Sequence, residues 1–77
     1  MIRRRSDNDL IGVLLADKVW IIHHDCSDSE NSLRRALQKA AELWLAGHHV
    51  TSVSDPNDRT IIEPDQIRRL LKRLGPP

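Results

Sequence analysis

The residues best suited to chemistry are four histidines and a single cysteine, which fall in two short segments. One segment is His23-His24-Asp25-Cys26 and the other is His48-His49, and His, Cys and Asp side chains all bind zinc. Because neighbouring strand residues point to opposite faces, each histidine pair offers only one ligand to a shared site. The sequence also lacks the paired C-x-x-C or H-x-x-x-H spacing typical of zinc sites. We interpret these residues as polar groups at the ends of elements, and we expect neither a metal nor a cofactor.

A second chemistry to consider is nucleophilic catalysis by Cys26, which precedes a predicted helix, a position that favours the reactive thiolate. A catalytic thiol also needs a base, an orienting group and an oxyanion hole inside a pocket. A chain of 77 residues has little depth for such a pocket, and its three glycines are too far apart for a phosphate-binding loop. The sequence therefore predicts a protein that is not an enzyme.

Basic side chains are concentrated at the two ends of the chain, around a middle that is acidic. The basic residues of the two ends are Arg3, Arg4, Arg5, Arg68, Arg69, Lys72 and Arg73. Because the last four have helical spacing, they would project from one face and could neutralise several phosphates. The net charge of the whole chain is only +1, and no aromatic cluster accompanies the basic residues. Nucleic-acid binding through these residues is therefore the alternative function.

The elements that position these groups begin with a predicted β-hairpin. Residues 1–9 are charged and without periodicity, which is typical of a flexible arm, and residues 10–75 form one domain. Two apolar, β-branched runs follow at residues 11–15 and 19–23, separated by a short polar break. The second run is apolar on both faces, so one face should pack a helix and the other could meet a partner chain.

A long helix is predicted next, beginning with a capping box formed by Ser27 and Glu30. Its apolar residues recur at helical spacing and define a single stripe. That stripe consists of Leu33, Ala36, Leu37, Ala40, Ala41 and Trp44. Gly47 follows the stripe and suits the left-handed position that ends a helix.

The remainder of the chain predicts a second hairpin and a closing helix. Strands at residues 49–53 and 59–63 flank the turn sequence 55–58, and Pro64 suits the first position of a helix. The apolar stripe of that helix consists of Ile67, Leu70, Leu71 and Leu74. The predicted fold is α+β in the order ββαββα, a small antiparallel sheet of two hairpins with one long packing helix and a C-terminal helix.

Composition limits the class of protein. The chain is 39% hydrophobic and 30% charged, which is typical of a folded, soluble domain, and no apolar run is long enough to cross a bilayer. One cysteine cannot form an internal disulfide, and it favours a reducing compartment. We expect a cytoplasmic protein that does not associate with membranes.

The segment from residue 36 to residue 71 carries a family likeness. A helix rich in small apolar residues (Ala-Leu-Gln-Lys-Ala-Ala-Glu-Leu-Trp) leads into a strand, a polar turn and the sequence Ile-Ile-Glu-Pro-Asp-Gln-Ile. This order resembles small proteins of phages and mobile elements, including anti-CRISPR inhibitors of type I CRISPR–Cas complexes. The resemblance implies a non-catalytic inhibitor that occludes a surface of a larger host complex, and it transfers no functional residue.

The sequence therefore predicts a small binding protein that acts by surface complementarity. Its partner would be a protein or ribonucleoprotein complex of the host, or a second copy of the chain in a homodimer. Tryptophan and arginine are enriched among the residues that dominate binding energy at interfaces. The candidate contact residues are Trp20 and Ile22, if the second sheet face is open, together with Arg68, Arg69, Lys72 and Arg73.

Overall fold

The computed structural model describes residues 5–57 and 59–74 of the chain. Its elements are α1 (Asp7–Gly12), β1 (Trp20–His23), β2 (Asp28–Glu30), α2 (Leu33–Leu45), β3 (Ser52–Asp55), β4 (Thr60–Ile62) and α3 (Pro64–Leu74). The strands form one antiparallel sheet in the order β2-β1-β3-β4, so β1 and β3 are central. The predicted α+β class, with two hairpins, a long central helix and a C-terminal helix, is confirmed, and α1 is an addition to it.

The helices lie on one side of the sheet. Helix α2 packs against β1, β2 and β3, α3 packs against α2, and α1 packs against α3. Burial alternates along the strands because successive side chains point to opposite faces, so that Trp20, Ile22 and Val53 are buried while their neighbours are only partly covered. Burying one large apolar side chain contributes roughly 1.5–3 kcal/mol, and this helix-facing layer holds the domain together.

The predicted first strand, at residues 11–15, is wrong, because the chain forms helix α1 and a turn there. The helix begins at a cap: Ser6 Oγ accepts a 3.3 Å hydrogen bond from the Asp9 backbone N–H. Leu10 anchors α1 by inserting, fully buried, into the core. Residues 7–9 of the predicted arm lie within α1, and residues 1–4 of that arm lie outside the described residues.

Strand β1 pairs in its hairpin with β2, which follows it in the chain. In this hairpin Ile21 lies opposite Ser29. The turn between the two strands contains Ser27 in the left-handed region, at φ 56°. The predicted capping box of Ser27 and Glu30 is therefore wrong, because both residues precede the helix and Glu30 belongs to β2.

Helix α2 begins five residues later than that capping box predicts, at Leu33, and its N-cap is Ser32. Ser32 Oγ accepts a 3.3 Å hydrogen bond from the Arg35 N–H. The predicted apolar stripe is confirmed as the buried side of the helix, with Ala41 and Trp44 half-buried at its margin. Gly47 adopts φ 91° just beyond the helix, as its position predicts.

Replacing the observed cap tests where α2 begins. We expect Ser32→Ala to lower the free energy of unfolding by about 1 kcal/mol, because the Arg35 N–H loses its acceptor. The exposed residue Ser29 gives a matched control, since Ser29→Ala removes a hydroxyl that caps no helix. Urea denaturation followed by circular dichroism measures both variants, and equal effects would argue against Ser32 as the cap.

The second hairpin and the closing helix agree with the sequence, with strand bounds moved by up to three residues. Asp55 Oδ1 accepts a 3.0 Å hydrogen bond from the Asn57 N–H, which stabilises the turn between β3 and β4. Arg59, at φ 55°, lies immediately before β4. Pro64 is the first residue of α3, where its missing N–H costs no hydrogen bond.

A buried ion pair joins the loop before β1 to the end of β3. The Asp55 side chain is fully buried, and its Oδ2 contacts Lys18 Nζ, whose side chain is 30% exposed. The Lys18 backbone N–H donates a 3.0 Å hydrogen bond to the Asn31 carbonyl. Lys18 therefore fixes both its own loop and the only acidic side chain in the buried core of the described residues.

Candidate binding surface

The sheet face opposite the helices is open, and it is the surface most suited to binding. We define the open face as Ile21, His23, Ser29, Ser52, Ser54 and Ile61. Five of these residues are partly buried and Ser29 is exposed, whereas the alternate residues of β1, β3 and β4 are fully buried under the helices. No described helix packs against the open face, so its side chains are available to another molecule.

The strand register sets the order of side chains across the open face. Ser29 of β2 lies beside Ile21 of β1, which lies beside Ser54 of β3, which lies beside Ile61 of β4. One row therefore crosses all four strands and alternates a small polar side chain with a large aliphatic one. Val19, directly before β1, is 45% exposed and adds another aliphatic group near this row.

Hydrogen bonds hold the polar part of the open face in place. His23 Nε2 lies 2.7 Å from Ser54 Oγ, which ties β1 to β3 on the open side. At the end of β1, the His23 carbonyl accepts a 3.1 Å hydrogen bond from Thr51 Oγ1. His23 and Ser54 are thus oriented before any partner arrives, which reduces the entropy lost on binding.

Trp20 and Ile22, the sequence-predicted contact residues, lie on the other side of the sheet. Trp20 is 1% exposed and Ile22 is fully buried, and both belong to the hydrophobic core under α2. The condition for their role, that their own face be open, is not met, because the helices cover it. Their neighbour Ile21 occupies the open side of the same strand.

The four basic residues of α3 do not form one free patch. Arg69 pairs with Asp7 of α1, Arg73 donates a 3.2 Å hydrogen bond to Asn8, and the Arg68 guanidinium lies 5.2 Å from the Trp44 ring centre. Lys72 has no hydrogen-bond or ion-pair partner among the described residues. The basic face is therefore divided between contacts to α1, a cation–π contact to α2 and one free side chain.

The N-terminal arginines are described only in part. Arg3 and Arg4 lie outside the described residues. The Arg5 carbonyl accepts a 2.7 Å hydrogen bond from Gln66 Nε2, which places the start of the described chain beside the first turn of α3. A groove of about 540 Å³ at this end of α3 mixes arginines with the carboxylates of Asp7, Glu63 and Asp65, which disfavours phosphate there.

The pairing of α1 with α3 is sensitive to acid. Arg69 donates hydrogen bonds of 3.0 and 3.3 Å to the two carboxylate oxygens of Asp7. These bonds are the largest cause that holds the pKa of the Asp7 carboxyl below its usual value of 3.8, and a hydrogen bond from Gln66 is the next. The bonds to Asp7 also raise the pKa of Arg69.

A titration checks this contact. The pKa of Asp7 is lower in the folded chain than in the unfolded one, so the contact stabilises the fold above pH 3.8 and is lost as the pH falls through the lowered value. We expect the Asp7 carboxyl carbon to titrate below 3.8 in a nuclear magnetic resonance experiment and to return towards that value in Arg69→Gln. Titration at the same pH in both proteins would show that Arg69 is not the cause.

Part of the histidine and cysteine cluster comes together beside the first hairpin. His24 Nε2 lies 2.8 Å from Asp28 Oδ2, and the rings of His24 and His48 meet edge to face with centroids 5.8 Å apart. His24 Nδ1 accepts a 3.5 Å hydrogen bond from the Cys26 N–H, which leaves Nε2 as the donor to Asp28. His48 Nδ1 lies 3.8 Å from Asp25.

The remaining members of that cluster lie elsewhere. His23 belongs to the open face, His49 is exposed in the segment before β3, and the Cys26 thiol is exposed. Within residues 5–57 and 59–74, no group of three or more His, Cys, Asp or Glu side chains is arranged to hold a metal ion. The arrangement can thus orient the hairpin turn through hydrogen bonds, which is a structural role.

Among the described residues, no helix has the length and hydrophobicity needed to cross a membrane. Comparison of the chain with protein-family models, with curated proteins and with solved structures gives no match.

Proposed function

We propose that this protein is a small, non-catalytic binding module whose open face contacts a partner protein. The observation that carries the proposal is the chemistry of that face. None of its six residues is Asp, Glu, Lys or Arg, although 30% of the chain is charged. The centres of protein interfaces are depleted of charged residues in the same way, because burying an unpaired charge is costly.

The shape of the open face also suits a protein partner. A sheet face with half-buried isoleucines and small serines offers a broad contact area and no deep cavity for a small ligand. The aliphatic groups of Ile21 and Ile61 would be removed from water on binding, and the hydroxyls of Ser29 and Ser52 would remain able to form hydrogen bonds across the interface.

The mode of action that we propose is surface occlusion in the cytoplasm. The sequence resembles phage and mobile-element proteins that include inhibitors of type I CRISPR–Cas complexes, so the partner class we propose is a large protein or ribonucleoprotein complex of a host cell. A standard interface removes roughly 800 Å² per partner from water, which is more than four short strands cover, so the partner would also contact residues around the open face.

Binding to a purified type I CRISPR effector complex tests the partner class and the surface together. We expect the wild-type chain to bind an immobilised complex and Ser29→Arg to bind at least about tenfold more weakly, since it places a charge in the open face. Ile21→Arg is a second face variant. Leu45→Lys is the matched control, because Leu45 is 90% exposed on α2, away from the open face. Absence of wild-type binding would exclude this partner class, and equal binding by all variants would exclude the open face.

The alternative function, regulation through nucleic-acid binding, is supported by the exposure of all four basic residues of α3. Its partner would be a phosphate backbone, and its affinity would fall steeply with salt. Fluorescence anisotropy with single- and double-stranded oligonucleotides at low salt tests it. Binding that Lys72→Gln weakens and Ser29→Arg does not would favour this alternative over the protein-binding module.

A further inference from the structure

The row that crosses the open face has a size pattern with a geometric consequence. From edge to edge it reads Ser29, Ile21, Ser54, Ile61, so small and large side chains alternate at the spacing of neighbouring strands, about 4.8 Å. Such a row is self-complementary. When a second copy is placed against it in the reverse order, each serine lies opposite an isoleucine and each isoleucine lies opposite a serine.

We propose that a second copy of the chain docks on the open face, with the sheets face to face and the two-fold axis parallel to the strands between β1 and β3. This inference rests on the proposed function of the open face. Rotation about that axis reverses the strand order, so Ile21 of each copy meets Ser54 of the other, and Ile61 meets Ser29. Each isoleucine then fills the space that a serine leaves, at the sheet separation of about 10 Å that packed sheets have.

A two-fold axis perpendicular to the strands gives a poorer interface. It would stack Ile21 on Ile21 and Ser54 on Ser54, so the sheets would touch at the isoleucines and leave voids at the serines. Unfilled space at an apolar contact forfeits dispersion energy.

Charge and area set the strength of this dimer. The open face carries no Asp, Glu, Lys or Arg side chain that would repel its copy, so the two faces can approach. Four short strands cover less area than the roughly 800 Å² per partner of a standard interface, which predicts a weak dimer with a Kd of roughly 10 µM to 1 mM. Because the second copy and a partner protein would use the same face, the two would compete.

The test is the solution mass, measured by sedimentation equilibrium from about 10 µM to about 1 mM. We expect the wild-type mass to rise from monomer to dimer over this range. Ser54→Leu should raise the Kd at least about tenfold, because the leucine meets Ile21 of the other copy. Ser54→Ala keeps the small size without the hydroxyl and should dimerise. If the two faces associated only through non-specific hydrophobic contact, Ser54→Leu would instead dimerise more tightly than the wild type.

Two further variants distinguish this interface from other modes of self-association. Ser29 is exposed in the edge strand β2, so we expect Ser29→Arg to keep the fold and to stay monomeric. Leu45→Lys should dimerise as the wild type does. A wild-type chain that is still monomeric at 1 mM, about the weakest Kd expected here, would overturn the dimer. The proposed function would still stand if the same chain bound a partner protein and Ser29→Arg weakened that binding. A dimer that Ser29→Arg and Ser54→Leu leave unchanged would overturn this interface.

Discussion

Trp20→Ala should remove a large part of the free energy of unfolding of this protein. Trp20 is 1% exposed, and removing a buried tryptophan costs roughly 3–5 kcal/mol through lost transfer energy and the cavity that remains. A domain of this size has a total stability of only about 5–10 kcal/mol, so the loss is a large part of it. Urea denaturation, followed by far-ultraviolet circular dichroism, measures the change in the free energy of unfolding.

Trp44→Ala is the matched control for this substitution. Trp44 is only half-buried, with Arg68 stacked over its ring, so we expect a clearly smaller loss of stability than for Trp20→Ala. If Trp20→Ala instead cost less than about 1 kcal/mol, Trp20 would be a surface residue and available as a contact residue for a partner.

Lys18→Ala should produce the second large loss, about 3–5 kcal/mol, because it leaves the fully buried Asp55 carboxylate without its cation. The indole of the neighbouring Trp20 carries no charge that could replace that of Lys18. Its N–H is itself buried without a hydrogen-bond acceptor among the described residues. Thermal and urea unfolding of the variant measure the loss.

The double variant Lys18→Ala/Asp55→Ala shows whether the loss comes from the pair. We expect it to be more stable than the sum of the two single losses predicts, by more than about 1 kcal/mol, because neither variant residue leaves an unpaired charge. Additive losses would mean that Lys18 stabilises the fold independently of Asp55.

The parts of the fold that the sequence predicted correctly are those in which one strong local signal decides the structure. The stripe from Leu33 to Trp44 has only one helical interpretation, and Pro64 with the stripe at Ile67 and Leu70 likewise defines α3. In the second hairpin, the turn chemistry at Asp55 and Asn57 is visible in the sequence and operates in the structure.

The first hairpin could not be predicted because tertiary contacts override local preference there. The run of residues 11–15 is β-branched and apolar, yet Ser6 caps a helix just before it and Leu10 buries that helix in the core. Strand β2 has no apolar residue, and pairing with the central strand β1 is what makes it a strand. Propensity in a short segment is too weak to compete with such contacts.

The open face could be predicted only in part from the sequence, because the order of its side chains depends on the register of the paired strands. The alternation of Ser52, Val53 and Ser54 indicates one buried side and one polar side, and it could have been read as a face free of charge. The Ser-Ile-Ser-Ile row, by contrast, joins residues up to 40 positions apart in the chain, and only strand pairing reveals it. Without that pairing, the sequence offered Trp20 and Ile22 as candidate contact residues, and the structure shows that the helices cover both.

Site-specific photo-cross-linking in bacteria that express the chain tests most directly whether the open face is where this protein meets other proteins. A photoreactive amino acid replaces Ile61, a large side chain of that face, or Gln38, which is exposed on the outer side of α2. We predict covalent protein adducts, of a second copy or of a heavier partner, from position 61 and none from position 38. Adducts that form only from position 38 would contradict it.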